Sequence, residues 1–369
     1  MPAAGPEIDK LFFLMSKANA SDLHLKVGSP PILRVDQQVR RLESAALTDD
    51  QIWSLVEPVM PARAKADFER TGNADFAYSV AGIGRYRVNV FRQRGSVSVA
   101  ARRVRYDIPS FDQLHLPQSL RKLASFDQGL CVVAGPTGSG KSTTLAALLD
   151  EINHTRRCHI ITIEDPIEYL YRDDKAFVNQ REVGLDVESF PVGLKYALRE
   201  DPDVILVGEM RDPETFETAL QASETGHLVF GTLHASSAAQ SIGRMLDLFP
   251  EGRHKQIRQL LSFNLRAVAV QMLLKGATEA ARVVPAVEVM LVNPSIRKLI
   301  REGEDDRIPE VIRGARAEGM QDMTQSLHDL VKSRLIAERT ALEVAPNPEA
   351  LTMMLKGIVV DGTKGGILR

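Results

Sequence analysis

The sequence predicts an α/β protein with a smaller α+β domain at its N-terminus and a helical subdomain at its C-terminus. Three patterns indicate this: strand-like alternation between residues 74 and 104, short apolar runs alternating with helical stretches between 130 and 233, and mostly helical spacing beyond 250. We expect an N-terminal domain over 1–105, a linker over 106–113, and a larger domain over 114–369 whose C-terminal helices start at about 294.

Composition is ordinary for a globular protein and argues against several classes. The 369 residues carry 46 basic and 48 acidic side chains, which gives a net charge of −2, and 44% of them are hydrophobic. This balance gives no support for a surface that binds nucleic acid or anionic lipid over its whole extent, although it leaves room for a local basic channel. No apolar stretch approaches the roughly 20 residues that span a bilayer, and we expect no secretory signal.

The chain contains two cysteines, Cys131 and Cys158, and both lie within or beside apolar runs. Two cysteines cannot complete a four-ligand zinc site by themselves. We therefore expect both to be buried free thiols in a reducing cytoplasm.

The N-terminal domain is predicted to be an antiparallel sheet with helices against it. Helical spacing covers residues 7–20, and alternation over 23–27 is typical of a half-buried strand. A second helix is predicted over 49–60. Three strands follow between 74 and 104, separated by glycine-containing turns.

The central region predicts a parallel sheet covered on both faces, because its strands alternate with helices. Asp212 as N-cap and Pro213 at the first helical position mark the start of one helix, and Gly226 marks its end. Strands are predicted over 130–134, 159–163, 204–207 and 228–233, and helices over 141–153, 189–199 and 213–225.

The region beyond residue 250 is predicted to be mostly helical. Its first element is a long amphipathic helix over 254–274, and a strand over 283–292 returns to the sheet. Residues 361–369 are expected to be disordered. Further helices are predicted near 296–301, 309–317, 324–335 and 348–355.

A phosphate-binding loop is predicted over 135–142, where a glycine, four residues and Gly-Lys-Ser stand between a strand and a helix. Glycines let backbone N–H groups point inward at a phosphate, and the helix N-terminus adds partial positive charge. Lys141 is expected to reach the β- and γ-phosphates of ATP, and the Ser142 hydroxyl to ligate Mg²⁺. The residues predicted to bind ATP are Pro136, Thr137, Gly138, Ser139, Gly140, Lys141, Ser142 and Thr143.

Two carboxylates follow predicted strands. Glu209 comes after 204–207, with Gly208 at the usual aspartate position, and Glu164 comes after 159–163. Both strand ends should face the nucleotide, because ligands of open α/β sheets bind outside the carboxyl ends of the strands. Glu209 is expected to hold Mg²⁺ through water or to polarise the attacking water. Glu164 is the second candidate for the general base, and its alternative is a turn or helix-cap acid.

Two histidines flank the strand predicted over 228–233. Either could report the state of the γ-phosphate, although a single histidine is more often a structural residue. His234 follows the strand beside the other site residues and is assigned to catalysis, and His227 precedes the strand and is assigned to nucleotide binding.

The chain resembles the secretion ATPase superfamily, and within it the type IV pilus retraction ATPases, in motifs spread over nearly its whole length. The matching segments are 20–25 (ASDLHL), 135–143, 162–168 (TIEDPIE), 205–212 (ILVGEMRD), 225–235 (TGHLVFGTLHA) and 295–302 (SIRKLIRE). The resemblance implies a PAS-like N-terminal domain joined to a RecA-like P-loop ATPase domain. It also implies that Arg87 and Arg102 act as arginine fingers, whose guanidinium groups neutralise transition-state charge.

The same resemblance implies a homohexameric motor in which ATP hydrolysis drives domain rotation, pilus retraction and twitching motility. Its partners would be an inner-membrane platform protein of the pilus machine and paralogous pilus ATPases, with no nucleic acid. The protein would be cytoplasmic and peripheral at the inner face of the inner membrane.

Several alternatives stay open beside the retraction motor. Ser295 and Lys298 depart from the retraction motif, and Met272 stands where the family often has arginine, so an accessory paralogue is one alternative. Pilus assembly and type II secretion ATPases usually carry a longer N-terminal region and a four-cysteine zinc element, which are missing here. A RecA-like nucleic-acid translocase would need a basic, aromatic-bearing channel, and aromatic residues are only 5% of the chain. A non-catalytic ring component is disfavoured by intact Lys141, Ser142 and Glu209.

Overall fold

The computed structural model describes residues 6–35, 38–279 and 281–358, and the chain divides into two compact units. The first unit is Met1–Asp107 together with Glu168–Leu170, and the second is Ile108–Ile167 together with Tyr171–Arg369. Within the described ranges, no helix has both the length and the apolar character needed to cross a bilayer. The predicted disordered tail, 361–369, lies outside the described residues.

The first unit is a six-stranded antiparallel sheet with helices packed on one face, which confirms the predicted α+β class. The strand order is β3-β2-β1-β6-β5-β4. In chain order the elements are α1 (Ile8–Lys17), β1 (Asp22–Lys26), β2 (Ile32–Val35), β3 (Gln38–Arg41), α2 (Asp49–Val56), α3 (Ala62–Thr71), β4 (Asn73–Val80), β5 (Gly84–Gln93) and β6 (Ser96–Arg103).

The predicted elements of this unit are present, and three further elements accompany them. α1 buries Ile8, Phe12 and Met15, the face that helical spacing predicts. β2, β3 and α3 are not predicted, because their apolar signals are weak. β3 is exposed along its whole length, and α3 buries only Ala64 and Phe68.

The second unit holds a seven-stranded sheet in the order β13-β12-β7-β11-β10-β8-β9. All neighbouring pairs are parallel except β12 and β13, which are antiparallel. Its first elements are α4 (Arg121–Ala124), β7 (Gly129–Ala134), α5 (Lys141–Thr155), β8 (His159–Glu164), β9 (Phe177–Glu182), α6 (Phe190–Ala197), β10 (Val204–Val207), α7 (Pro213–Glu224) and β11 (Leu228–Leu233). They are followed by α8 (Ala238–Leu246), α9 (His254–Asn264), β12 (Leu265–Lys275), β13 (Val283–Leu291), α10 (Pro294–Glu302), α11 (Ile308–Gly314), α12 (Met323–Lys332), α13 (Glu338–Val344) and α14 (Pro348–Leu355).

Both faces of the seven-stranded sheet are buried, as a parallel sheet requires. Along β7, Leu130 and Val132 join the core on one face, and Cys131 and Val133 join the core on the other. Because the faces are covered, side chains of this sheet can meet a ligand only beyond the strand ends.

The prediction of one helix over 254–274 is wrong in its second half. α9 ends at Asn264, and β12 starts at Leu265 and pairs with both β7 and β13. Residues 267–271 are all buried, so β12 faces apolar neighbours on both sides and lacks polar alternation. An apolar run of this kind cannot be assigned to helix or strand by periodicity alone.

The other predicted elements of the second unit are present. Asp212 accepts a hydrogen bond from the Thr215 N–H at 2.8 Å, and Pro213 stands in the first turn of α7. Four elements are not predicted, namely α4, β9, α8 and α13: α4 has four residues, β9 is polar, α8 contains Gly243, and α13 has seven residues. Both cysteines are free as expected, with Cys131 buried and Cys158 only half-buried.

Candidate nucleotide-binding site

The predicted phosphate-binding loop connects β7 to α5. Gly135, Gly138 and Gly140 have φ values of 149°, 78° and 86°, which are conformations that favour glycine. A Cβ atom at Gly135 would lie 2.3 Å from the carbonyl oxygen of Gln271, and one at Gly140 would lie 2.8 Å from its Nε2 atom. Backbone conformation therefore favours glycine at 135 and 140, and the close approach of the β12 backbone also requires it at 135.

The N-terminus of α5 points its backbone donors at this loop. Gly140 is the N-cap residue, and no side chain caps the helix. The first N–H groups of a helix have no intrahelical acceptor and carry the positive end of the helix dipole. Pro136, Thr137, Gly138 and Ser142 are exposed beside them, whereas Ser139 is 3% exposed. The loop thus has the shape and polarity that bind phosphate oxygens.

Lys141 lies over the loop. Its Nζ atom donates to the carbonyl oxygens of Gly135 and Pro136, each at 3.0 Å. Burial lowers the pKa of Lys141, and the negative charge of Glu209 partly offsets that effect. The ammonium group is therefore held where a bound phosphate would meet it.

Glu209 and His234 come together at the carboxyl edge of the sheet, because β10 and β11 are neighbours. The Oε1 atom of Glu209 lies 3.4 Å from Nε2 of His234 and 2.5 Å from Nε of Arg211. The hydrogen bond to Glu209 raises the pKa of Arg211. The structure thus builds a half-buried carboxylate with two basic neighbours beside the P-loop.

Glu164 lies at the same edge but further from the P-loop strand. In the order β7-β11-β10-β8, Glu209 follows the third strand and Glu164 is the last residue of the fourth, which places them about 10 Å and 14 Å from β7 at the usual strand spacing. Glu164 accepts hydrogen bonds from Thr162 Oγ1 at 2.6 Å and from Gln180 Nε2 at 3.1 Å. Of the two carboxylates, Glu209 has the electrostatic effect on Lys141.

His227 lies at the opposite edge of the sheet. It precedes β11, and its carbonyl accepts from the Gly129 N–H at 3.0 Å, at the start of β7. The P-loop follows the other end of β7, about 17 Å away along the strand. The Nδ1 atom of His227 lies 2.9 Å from the Ala222 carbonyl oxygen. The fold of the chain does not bring His227 to its own P-loop.

Arg87 and Arg102 lie in the first unit and belong to a row of charged residues. Arg102 is the register partner of both Arg87 on β5 and Asp22 on β1, and Asp22 is the partner of Arg34 on β2. Directly opposed residues share a face, so these four residues form a row across the sheet. The row lies on the face opposite the core formed by residues such as Leu23. We call it the charged row.

Asp22 is the centre of the charged row. Its Oδ1 atom accepts from Nε of Arg102 at 2.8 Å, and Arg34 Nε lies 3.6 Å from Oδ2. Burial raises the pKa of Asp22, but hydrogen bonds from Ser21 and Arg102 outweigh burial, so that the pKa is lowered overall. The Arg102 side chain is 74% exposed and that of Asp22 is 9% exposed. A buried, ionised carboxylate thus holds an arginine whose guanidinium still reaches solvent.

Several residues without a predicted site role contact the predicted site residues, among them Arg211, Asp22 and Gln271. Arg211 contacts Glu209, Asp22 contacts Arg102, and Gln271 contacts the P-loop. Arg211 and Asp22 lie inside recognised motifs, which is a usable signal. Gln271 stands in a strand that was predicted as helix, and its polar character within an apolar run is the only signal.

Known proteins are similar to this chain over nearly its whole length. Residues 101–306 match the family described as type II/IV secretion system protein. The type IV pilus retraction ATPase PilT of Pseudomonas aeruginosa is 43% identical over 343 residues, which are 93% of this chain and 99% of PilT. The type IV pilus ATPase PilU of the same organism is 40% identical, over 95% of this chain and 91% of PilU.

A solved structure agrees with the sequence matches. The crystal structure of the pilus retraction motor PilT with bound ADP superposes with a TM-score of 0.85 at 44% identity, covering 93% of this chain and 99% of that chain. A P-loop alone would match only a segment, whereas this similarity includes the N-terminal sheet and the C-terminal helices. The chain therefore belongs to the family of type II/IV secretion ATPases and, within it, to the pilus retraction ATPases.

Proposed function

We propose that this chain is an ATP-driven motor of type IV pilus retraction that works as a homohexameric ring. The observation that carries the proposal is the whole-length similarity to PilT, combined with a P-loop whose glycines, lysine and helix start are all in place. A ring subunit of this kind would dock on an inner-membrane platform protein at the cytoplasmic face and could work beside paralogous pilus ATPases. Nucleic acid has no part in this function.

ATP binding is assigned to the loop residues 136–143 and to the first N–H groups of α5. A charged phosphate competes with the neutral carbonyls of Gly135 and Pro136 for the Lys141 ammonium, and its charge makes it the better acceptor. The exposed Ser142 hydroxyl stands at the helix start, where it would ligate Mg²⁺. Ser142, with Glu209 acting through water, would hold Mg²⁺, which would supply positive charge to offset that of the phosphates.

Hydrolysis is assigned first to Glu209. Its carboxylate is the one nearer to the P-loop strand, and it would orient the attacking water or hold Mg²⁺ through water. His234 contacts this carboxylate and would relay the state of the γ-phosphate to β11. Glu164 is the second candidate for the general base. His227 stays a prediction that the chain's own P-loop geometry does not support.

Arg87 and Arg102 are assigned as arginine fingers that neutralise charge on the transferred phosphoryl group. Support comes from the charged row, which presents Arg102 with most of its side chain in solvent. Asp22 holds Arg102 through Nε and leaves the terminal nitrogens of the guanidinium to contact a phosphate.

An accessory retraction ATPase is the second candidate, and helix α10 is the observation that favours it. α10 buries Ile296, Leu299 and Ile300 and exposes Ser295 and Lys298, the two positions that depart from the retraction motif. The similarity to PilU is nearly as extensive as that to PilT. The two candidates differ in whether the chain retracts pili alone.

The test is expression of the chain in a pilus-bearing strain that lacks all its retraction ATPases. The motor proposal expects twitching to return with the wild-type chain and to stay absent with Lys141→Ala. Recovery only when a second retraction ATPase is present would identify the accessory role. A purified chain whose ATPase activity is absent, or is measurable only with added DNA, would contradict both roles.

A further inference from the structure

We propose that Gln271 of β12 is a positioning residue for nucleotide binding, because its side-chain amide fixes the phosphate-binding loop against the first turn of α5. The inference rests on the nucleotide-binding role proposed for the loop. It adds a residue that lies outside every motif of the sequence and that contacts no phosphate itself.

The amide of Gln271 joins two parts of the site. Its Nε2 atom donates to the Ser139 carbonyl oxygen at 2.7 Å, and its Oε1 atom accepts from the Thr144 hydroxyl at 2.7 Å. Ser139 lies in the middle of the loop, and Thr144 lies in the first turn of α5. One side chain therefore ties the loop to the helix whose N–H groups would meet the phosphates.

These contacts are made inside the protein rather than in solvent. Gln271 and Thr144 are each 2% exposed and Ser139 is 3% exposed. A hydrogen bond between buried groups is costly to remove, because each partner left alone keeps its desolvation penalty. The three groups therefore restrict the loop to one arrangement before nucleotide arrives.

The backbone of Gln271 shapes the loop as well. β12 pairs with β7 up to Val270 and Ala134, so Gln271 and Gly135 are the next residues of the two strands. A Cβ atom added to Gly135 would lie 2.3 Å from the Gln271 carbonyl oxygen, and one added to Gly140 would lie 2.8 Å from the Gln271 Nε2 atom. Contacts with β12 therefore constrain the loop conformation, in addition to the loop's own glycines.

Only an amide of this length satisfies both partners. Glutamate would place a second oxygen against the Ser139 carbonyl and bury a charge, and methionine would keep the shape while leaving both partners unbonded. Gln271→Met is therefore the sharpest variant. Gln321 offers a matched control, since its Nε2 atom donates to the Val287 carbonyl of β13 at 2.7 Å, away from the loop.

The experiment measures the Kd of a fluorescent ADP analogue with Mg²⁺, and steady-state ATPase kinetics, on the full chain. Gln271→Met should raise Kd and KM about tenfold, because it removes hydrogen bonds and leaves the Ser139 carbonyl and the Thr144 hydroxyl buried without a partner. We expect kcat to fall less than about threefold. Gln321→Leu should keep the wild-type Kd even where it lowers the melting temperature. Equal Kd values for Gln271→Met and Gln321→Leu would overturn the proposal.

Thr144→Val supplies a second test that leaves Gln271 in place. It should raise Kd about threefold, and the double variant Thr144→Val with Gln271→Met should be no worse than Gln271→Met alone, because Thr144 acts through the amide. Additive effects would mean that the two residues act separately and would overturn the coupling. If Gln271→Met does not fold, an unchanged Kd in Thr144→Val overturns the proposal and a raised Kd supports it.

Lys141→Ala separates this inference from the proposed function. If Lys141→Ala binds the analogue as tightly as the wild type, the nucleotide site itself is misassigned. If Lys141→Ala loses binding while Gln271→Met keeps it, only the role of Gln271 fails.

Discussion

The two sheets of the molecule present charged residues in different places. The seven-stranded sheet is covered on both faces, with Lys141 and Glu209 beyond the carboxyl ends of its strands and Glu164 at the end of β8. The helices of the first unit cover one face of the six-stranded sheet, and the charged row runs across the other, from Arg34 to Arg87. A parallel sheet wrapped by helices leaves only its edges to a ligand, whereas an antiparallel sheet can use a whole face.

This difference determines how easily each site can be recognised in the sequence. Strand-end residues follow an apolar run directly, so Glu209 and the P-loop are found as short motifs. In the charged row, Asp22 and Arg102 are 80 residues apart along the chain. Strand register alone brings them together. We therefore predict that changes to the strand-end residues alter nucleotide binding and hydrolysis, whereas changes to the charged row alter kcat and leave nucleotide affinity nearly unchanged.

The largest effect is expected from Lys141→Ala. Its ammonium is half-buried over the loop and donates to the Gly135 carbonyl oxygen. ATPase turnover should fall by more than about 10³-fold and nucleotide affinity should fall with it, because the lost charge meets the phosphates directly. The measurements are phosphate release and binding of a fluorescent nucleotide. Lys195→Ala, an exposed lysine on α6, is the control and should change neither quantity.

The next effect is expected from Arg87→Ala and Arg102→Ala. Each should lower kcat by on the order of 10³, the range known for arginine fingers, while Kd for ADP changes less than about threefold. Arg70→Ala removes an equally exposed arginine of the same unit, one that pairs with Asp67, and should leave kcat unchanged. Full activity in both variants would show that the charged row is a structural feature, and would contradict its assigned role in kcat.

A smaller effect is expected from Glu209→Gln, which keeps the shape of the side chain and removes its charge. Single-turnover hydrolysis should slow about 10²-fold with ATP binding retained, and Glu164→Gln should slow it less than about fivefold. Glu164 already accepts hydrogen bonds from Thr162 and Gln180 and stands one strand further from β7. A mild Glu209→Gln with a severe Glu164→Gln would exchange the two roles.

The smallest effect is expected from Asp22→Asn. Loss of the carboxylate loosens Arg102, so kcat should fall about threefold while the free energy of unfolding at pH 7 falls by about 1 kcal/mol. The pKa of Asp22 is lowered in the folded state, so its contribution is present above the ordinary aspartate pKa of 3.8 and is lost as the pH falls through the folded value.

The free energies of unfolding of wild type and Asp22→Asn in urea should therefore differ at pH 7 and converge as the pH falls below 3.8 and through the folded pKa of Asp22. Asp67→Asn is the control, because its carboxylate is 41% exposed in a surface pair with Arg70. A difference between wild type and Asp22→Asn that does not shrink as the pH falls below 3.8 would show that Asp22 contributes no ionised anchor.

Local sequence by itself determined the parts of this protein that depend on neighbours along the chain. The glycines of the P-loop, the start of α7 at Asp212 and the alternating strands of the first unit are all local features, since turn conformation, capping and side-chain period act over a few residues. The four central strands and the helices α5, α6 and α7 are predicted for the same reason.

Tertiary structure decided what depends on which strand lies beside which. Residues 265–275 become β12 because β7 and β13 pair with its two edges, and an apolar run has no local feature that separates this outcome from a helix. The same sheet order brings His234 to Glu209, places His227 at the far edge, and sets Gln271 against the P-loop. Register and strand order are long-range properties, and no short motif can carry them.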